Sequence, residues 1–240
     1  MKAIIMAAGK GTRISCKIGA MPKSTLPLSN GTPIIRSRVQ MMIECGMEPI
    51  ICTGYKKEYI EKALEGLKVK YYYNPFYSVT NNMASLWFTL SELDDEDIML
   101  TSADIYYPKN FLERLIAAEG DICMIVDSSR IESGDFYFDV EDGIIVEHGP
   151  RVPLEKRKFE YMGLTKISSR LLPEVRSLVQ EYIETENYNK YFEDMIISMN
   201  EKKRYPITFI DVAGAFWREF DFYEDYQAIM EYEMQMRLEN

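Results

Sequence analysis

Short apolar runs alternate with helix-length segments along the first half of this chain, and the alternation begins at residues 1–13, MKAIIMAAGKGTR. Residues 3–7 form an almost unbroken apolar run, which suits a strand buried on both faces of an α/β sheet. Residues 34–46 read as a helix with Pro33 at its first turn and Gly46 closing it. A strand at 48–55, a helix at 56–66 and a strand at 69–73 complete a βαβαβ series. Residues 81–93 carry apolar side chains at helical spacing, followed by a strand at 97–104, a helix at 108–120 and a strand at 121–127. Strands alternating with helices predict an α/β fold with a mostly parallel sheet flanked by helices and wound through right-handed crossovers.

The texture changes at Ser128. Residues 135–149 read as two strands around an Asp142-Gly143 turn, a hairpin signal, and 160–168 resumes strand character. Residues 169–184 and 189–201 look helical, with Pro173 in a first turn or a kink. Late strands within 205–220 and a helix from Tyr223 close the chain. At 240 residues the pattern predicts one domain. Its expected parts are a core over 1–127, a small mixed lobe over 128–204, and a return to the core over 205–240.

The loop after the first strand is an anion seat. Small residues at Ala8, Gly9 and Gly11 let backbone N–H groups approach a ligand, and Lys10 and Arg13 add positive charge. It is not the dinucleotide fingerprint, because the third glycine position falls on Ile14 and residues 16–22 do not read as a helix start. Nor is it a P-loop, since one residue separates Gly9 from Gly11 where four are needed.

Charge supports a small phosphorylated ligand. The net charge is −10, yet residues 1–43 hold seven basic side chains and no acid, so the remainder carries −17. A locally basic beginning can hold a small polyanion, whereas the overall charge disfavours a nucleic-acid track. The competing explanation is an accidental run of surface lysines. The apolar runs are too short to cross a bilayer and residues 2–8 lack the form of a secretory signal, so a cytoplasmic protein is expected. Cysteines at 16, 45, 52 and 123 form no Cys-x-x-Cys pair and His148 is the only histidine. Reduced, mostly buried thiols are therefore expected, with neither zinc nor disulfides.

Ligands of open α/β sheets collect at the carboxyl ends of strands, which places the loop after Ala7 and the end of the 97–104 strand on one rim. Asp104 ends that otherwise apolar strand and is a candidate Mg²⁺ ligand; the alternative is a cap for the helix at Pro108, from which it stands four residues early. Asp221, just before the terminal helix, is the natural second carboxylate, with Asp225 better placed as a helix N-terminal charge.

The run MKAIIMAAGKGTR followed by MPKSTLPL at 21–28 resembles the signature of nucleotidyltransferases that join a nucleoside monophosphate to a phosphorylated sugar or alcohol. NNMASLWFTLSEL at 81–93 is similar to the Asn-Asn-x-x-Ser-Leu stretch of the phosphocholine and aminoalkylphosphonate cytidylyltransferase branch. SAD at 102–104, YMGLTKIS at 161–168, YFEDMI at 191–196 and AFWREFDFYED at 215–225 follow in that branch's order. The resemblance implies a Rossmann-like, nucleotide-diphospho-sugar-transferase-like sheet with a mixed acceptor-binding lobe. It assigns Ala8, Gly9, Gly11, Thr12 and Arg13 to the nucleotide loop, and Lys23 to bridging phosphates as a catalytic residue beside Arg13. Asn81, Asn82 and Ser85 fall near the nucleotide, Asp104 and Asp221 become the Mg²⁺ pair, and Phe136, Tyr191 and Glu193 face the acceptor.

The implied reaction transfers CMP from CTP to a small phosphorylated or phosphonylated amino alcohol and releases pyrophosphate. The attacking oxygen is already ionised at neutral pH, so no general base is needed and His148 need not be catalytic. Positioning and charge neutralisation are what remain, and Mg²⁺, Arg13 and Lys23 supply both. A choline head would want an aromatic cage, and a primary amine would want carboxylates more than rings. Phe136, Tyr137, Tyr161, Tyr191, Phe192 and Trp217 are candidates, most of them expected in the core. No nucleic acid and no membrane insertion are expected, and a homo-oligomer is compatible with the sequence. The alternatives are a sugar-1-phosphate nucleotidylyltransferase using UTP or dTTP, and a CTP-sensing regulatory protein.

Overall fold

A computed structural model describes residues 1–19, 21–201 and 205–238. The elements follow in chain order as β1 (Lys2–Ala7), α1 (Thr12–Ile18), α2 (Ile34–Glu44), β2 (Glu48–Thr53), α3 (Lys57–Ala63), β3 (Lys70–Tyr73) and α4 (Asn82–Trp87). Next come β4 (Ile98–Ser102), β5 (Ile105–Tyr106), α5 (Lys109–Ala117), β6 (Ile122–Asp127), β7 (Tyr137–Glu141), β8 (Ile144–Gly149) and β9 (Phe159–Ile167). The series closes with α6 (Leu172–Glu184), α7 (Phe192–Glu201), β10 (Ile207–Asp211), β11 (Arg218–Glu219) and α8 (Tyr223–Leu238).

The main sheet runs β10-β6-β9-β4-β1-β2-β3, with β7 and β8 attached through β9. β1 pairs in parallel with both β2 and β4, and β6 pairs in parallel with β10. The expected mostly parallel sheet flanked by helices is thus borne out. Its exception is β9, which inserts antiparallel between β4 and β6. The segment 128–204, expected as a lobe, therefore places one strand in the middle of the core sheet.

Burial follows from the apolar runs: every residue of β1 and β6 is buried, and the two faces of the sheet carry separate apolar clusters. The hairpin of β7 and β8 turns at Asp142 and Gly143, both at positive φ, as a tight two-residue turn needs. Pro173 lies in the first turn of α6, where its missing N–H costs nothing.

One local expectation is corrected. Residues 16–22 do not read as a helix start, yet helix α1 begins at Thr12, directly after Gly11, whose φ is 58°, and runs to Ile18. No proline or glycine interrupts that stretch, and Gly19, at φ 72°, ends it. Cys45 is half-buried and Cys52 and Cys123 are buried free thiols, as expected; the Cys16 side chain and the boundary drawn at residue 204 lie outside the described residues. Among the described residues no helix is long and apolar enough to cross a membrane.

Candidate active site

The parallel register sets the rim. Met6 pairs with Ser102, and the Ala103 N–H donates to the Met6 carbonyl at 3.0 Å, so the loops leaving β1 and β4 lie side by side. A second, two-stranded ladder completes the arrangement. Glu219 of β11 pairs with Ile105 of β5, and the Phe220 N–H donates to the Asp104 carbonyl at 3.0 Å. Two segments more than a hundred residues apart are thereby held in register, and Asp221 arrives beside Asp104.

Lys23 lies between these two acids. Its Nζ stands 2.7 Å from Asp104 Oδ2 and 2.5 Å from Asp221 Oδ1. Burial works against the ammonium charge, but the two carboxylates outweigh it and hold the lysine pKa above its usual range. The Arg13 guanidinium, itself exposed, pairs with the other oxygen of Asp221. Asp104 is not a helix cap: the N-cap of α5 is Pro108, with no side-chain cap bond. Asp225 does accept the Phe222 N–H at 2.9 Å, at the start of α8.

Glu219 is the acid that sequence reasoning missed. Oxygens of Asp104, Glu219 and Asp221 lie within 4.8 Å of one another, and Asp104 Oδ1 is buried without a hydrogen-bond partner. Burial, then the charges of Asp104 and Asp221, push the Glu219 carboxyl well above the usual carboxylate range. Three crowded carboxylates with an orphaned oxygen are a donor set that fits a hard divalent cation.

These groups line a cavity of about 800 Å³, as do the residues assigned to the nucleotide loop, Asn81, Asn82, Ser85, Phe136, Tyr161, Tyr191 and Glu193, whereas Tyr137, Phe192 and Trp217 do not. The glycine loop forms a wall, with Lys10 Nζ 5.8 Å above the Tyr77 ring. Gly54 packs so closely on that wall that an added Cβ would meet the Ala8 carbonyl oxygen at 2.7 Å. Phe136, Tyr191, Glu193, Asp194 and Asp135 line the same cavity, near enough that the charge of Asp104 acts on Glu193 and that of Asp135 on Glu219. Tyr191 is exposed, whereas Tyr137, Phe192 and Trp217 are core residues. Burial pushes the Glu193 carboxyl up to about 7, against hydrogen bonding that includes Asn82.

The Asn-Asn stretch is occupied in a specific way. Asn82 accepts the Phe192 N–H at 2.7 Å and reaches Glu193 Oε2 at 3.4 Å, while Asn81 donates to the Asn189 carbonyl at 2.6 Å. Ser85 is buried and accepts from Asn74 Nδ2 at 3.1 Å. Their polar groups thus fix the 188–193 turn and the α4 entry beneath the cavity.

A family model described as the MobA-like NTP transferase domain matches residues 3–205. The chain belongs to that family. Over 254 aligned residues it is 26% identical to CTP:phosphoglutamine cytidylyltransferase of Campylobacter jejuni, covering 96% of this chain and 100% of that protein. It is 25% identical to 2-aminoethylphosphonate cytidylyltransferase of Lancefieldella rimae, covering 81% of this chain and 78% of the relative. The inositol-1-phosphate CTP transferase from T. maritima superposes with a TM-score of 0.76 at 18% identity, covering 98% and 96% of the two chains, and so shares the fold. The resemblance read from the motifs is borne out, and the protein is a nucleotidyltransferase.

Within this NTP transferase domain the basic beginning of the chain has two fates. Lys10, Arg13 and Lys23 line the cavity. Lys2 is instead buried against Glu92 and Asp94, Arg36 donates to the carbonyls of Ala63 and Glu65, and Arg38 stacks 4.4 Å from the Tyr106 ring. The charge bias thus mixes ligand-facing and structural cations. His148 stands outside the cavity lining, 3.9 Å from Glu201.

Proposed function

We propose that this nucleotidyltransferase moves CMP from CTP to a small phosphorylated or phosphonylated amino alcohol and releases pyrophosphate. The observation that carries the reading is one cavity lined both by Lys23, Arg13 and three carboxylates and by further acids with aromatic rings. The named activities of the two curated relatives support CTP as donor and a phosphorylated or phosphonylated acceptor.

An acceptor oxygen bonds to the α-phosphorus as the bond from that phosphorus to the pyrophosphate oxygen breaks, and the electron pair leaves with pyrophosphate. The glycine loop seats the triphosphate through backbone N–H groups, with Ala8, Gly9, Gly11 and Thr12 forming it. Arg13 and Lys23 neutralise charge as it grows on the leaving oxygens. Asp104, Glu219 and Asp221 would hold Mg²⁺, which would supply further charge neutralisation. Asn81, Asn82 and Ser85 shape the floor, and residues 128–204 present Phe136, Tyr191 and Glu193 to the acceptor. Rings and carboxylates together suit an ammonium group.

The test is pyrophosphate release with Mg²⁺, crossing CTP, UTP and dTTP against phosphocholine, phosphoethanolamine, 2-aminoethylphosphonate, phosphoglutamine and a sugar 1-phosphate. Release with CTP and an amino-bearing acceptor is expected. Turnover of only the sugar with UTP or dTTP replaces this reading with a sugar nucleotidylyltransferase, and CTP binding without turnover of any acceptor favours a sensor.

A pH profile probes the acceptor end. With its pKa near 7, Glu193 is mostly neutral at pH 6 and mostly anionic at pH 8. A cationic acceptor should therefore bind more tightly as pH rises, its KM falling by about tenfold across that interval. Glu193→Gln should flatten the profile relative to the wild type. A wild-type profile matched by the variant would remove Glu193 from acceptor recognition.

A further inference from the structure

Part of the cavity wall is a short strap, residues 134–136, which has no element of its own and yet carries Asp135 and Phe136 into the lining. It leaves the sheet after β6 and returns at β7. Glu160 of β9 sits at that fork, paired with Asp127 of β6 on one side and with Tyr137 of β7 on the other. Its side chain is buried, and Oε1 accepts the Asp135 N–H at 3.0 Å. Oε2 faces Arg130 Nε at 2.7 Å, an ion pair whose side chains are 19% and 4% exposed. The strap is seated tightly on this carboxylate: a Cβ added to Gly134 would fall 2.2 Å from Glu160 Cδ.

Arg130 has a second set of contacts. Its guanidinium stacks 4.2 Å from the Trp217 ring, and Nη1 donates to the Trp217 carbonyl at 3.1 Å. Trp217 immediately precedes β11, the strand that brings Glu219 and Asp221 to the acidic cluster. The indole Nε1 in turn donates to buried Asp127 at 2.8 Å. One side chain thus contacts both the carboxylate that holds the strap and the residue that precedes β11.

We infer that Arg130 and Glu160 form a latch that holds the acceptor strap in register with the strand bearing the acidic cluster, making Arg130 a positioning residue for transfer. The inference rests on the cytidylyltransferase reading for what the strap faces, but its geometry does not. Neither side chain lines the cavity. A surface ion pair would contribute little, whereas a buried pair that also fixes a backbone N–H restricts geometry. Burial, opposed by Arg130 and by the hydrogen bond from the Asp135 N–H and aided by the charges of Asp135 and Asp127, raises the Glu160 carboxyl to about 7. Without Arg130 the carboxylate that anchors the strap loses its ion pair.

The experiment compares Arg130→Gln, Glu160→Gln and the double variant with the wild type and with Lys156→Gln, which loses an exposed pair to Glu147 on the same segment. Each latch variant should raise the acceptor KM by about tenfold while the CTP KM stays within about twofold. The double variant should be no worse than either single one, since both break a single unit. Hydrogen exchange needs no acceptor: protection of the Asp135 amide should fall by about tenfold in Arg130→Gln and stay unchanged in Lys156→Gln. Equal changes in both KM values, additive single effects, or unaltered Asp135 protection would each overturn the latch. If the wild type turns over no acceptor, the parent reading fails on its own and the exchange result alone decides the latch.

Discussion

Asp104→Asn should lower kcat by at least about 10³-fold while CTP binding, measured by calorimetry, changes far less. The two oxygens of this carboxylate differ: one pairs with Lys23, and the other is buried without a hydrogen-bond partner beside Glu219 and Asp221. An amide keeps the shape but removes the charge and turns a donor toward the lysine. Cation affinity at the cluster falls, and neutralisation of the leaving pyrophosphate falls with it. The fold should not suffer, because Glu219 is disfavoured as an anion by the charges of Asp104 and Asp221. Removing one of those charges relieves that repulsion but also breaks the Asp104 pair with Lys23, which keeps Asp221, so the two effects oppose and the melting temperature should change by no more than about 4 °C. A tenfold or smaller loss of kcat would take Asp104 out of the catalytic centre and strengthen the sensor alternative.

The strand and helix pattern was readable because burial imposes it. β1, β4 and β6 are apolar along almost their whole length since both faces are covered, and the turns between elements carry their own signals in Gly46, Pro173 and Asp142-Gly143. What could not be read is pairing between distant segments. YMGLTKIS announces a strand, but nothing local says that β9 will enter antiparallel between β4 and β6. Glu219 was missed for the same reason: it occupies an ordinary alternating stretch, and only the two-residue ladder of β11 on β5 turns it toward Asp104. Asp104 and Asp221 were found because carboxylates at strand ends are chemically unusual, and the motif resemblance supplied their partnership. The basic bias of residues 1–43 takes in Lys10, Arg13 and Lys23, which line the cavity, yet it could not separate them from Lys2, Arg36 and Arg38. Side chains that satisfy a backbone carbonyl and side chains that line a cavity look alike in sequence.

Lys23→Met separates two roles that this lysine combines. In the wild type the ammonium holds Asp104 and Asp221 together, and its raised pKa means that this stabilisation is fully present at neutral pH and is lost only as pH climbs through the folded-state value. Methionine keeps the aliphatic stem that packs 3.3 Å from the position of a Gly11 Cβ, but strands the acids beside Glu219. Because the acids are partly exposed, the cost should be about 2 kcal/mol, below that of a fully buried broken pair, and the melting temperature should drop by about 4–8 °C. Millimolar Mg²⁺ should restore most of that drop, since a cation bound among the three carboxylates replaces the missing charge. It should not restore turnover: kcat should remain about 10³-fold down, because the charge that meets the triphosphate is gone. Thermal scans of both proteins with and without Mg²⁺, alongside pyrophosphate release, read the two effects separately. Recovery of activity with Mg²⁺ would make Lys23 a structural counterion alone. Failure of Mg²⁺ to recover the melting temperature would show that Asp104, Glu219 and Asp221 do not bind the cation together, and the charge neutralisation assigned to them would then fall to Arg13 and Lys23.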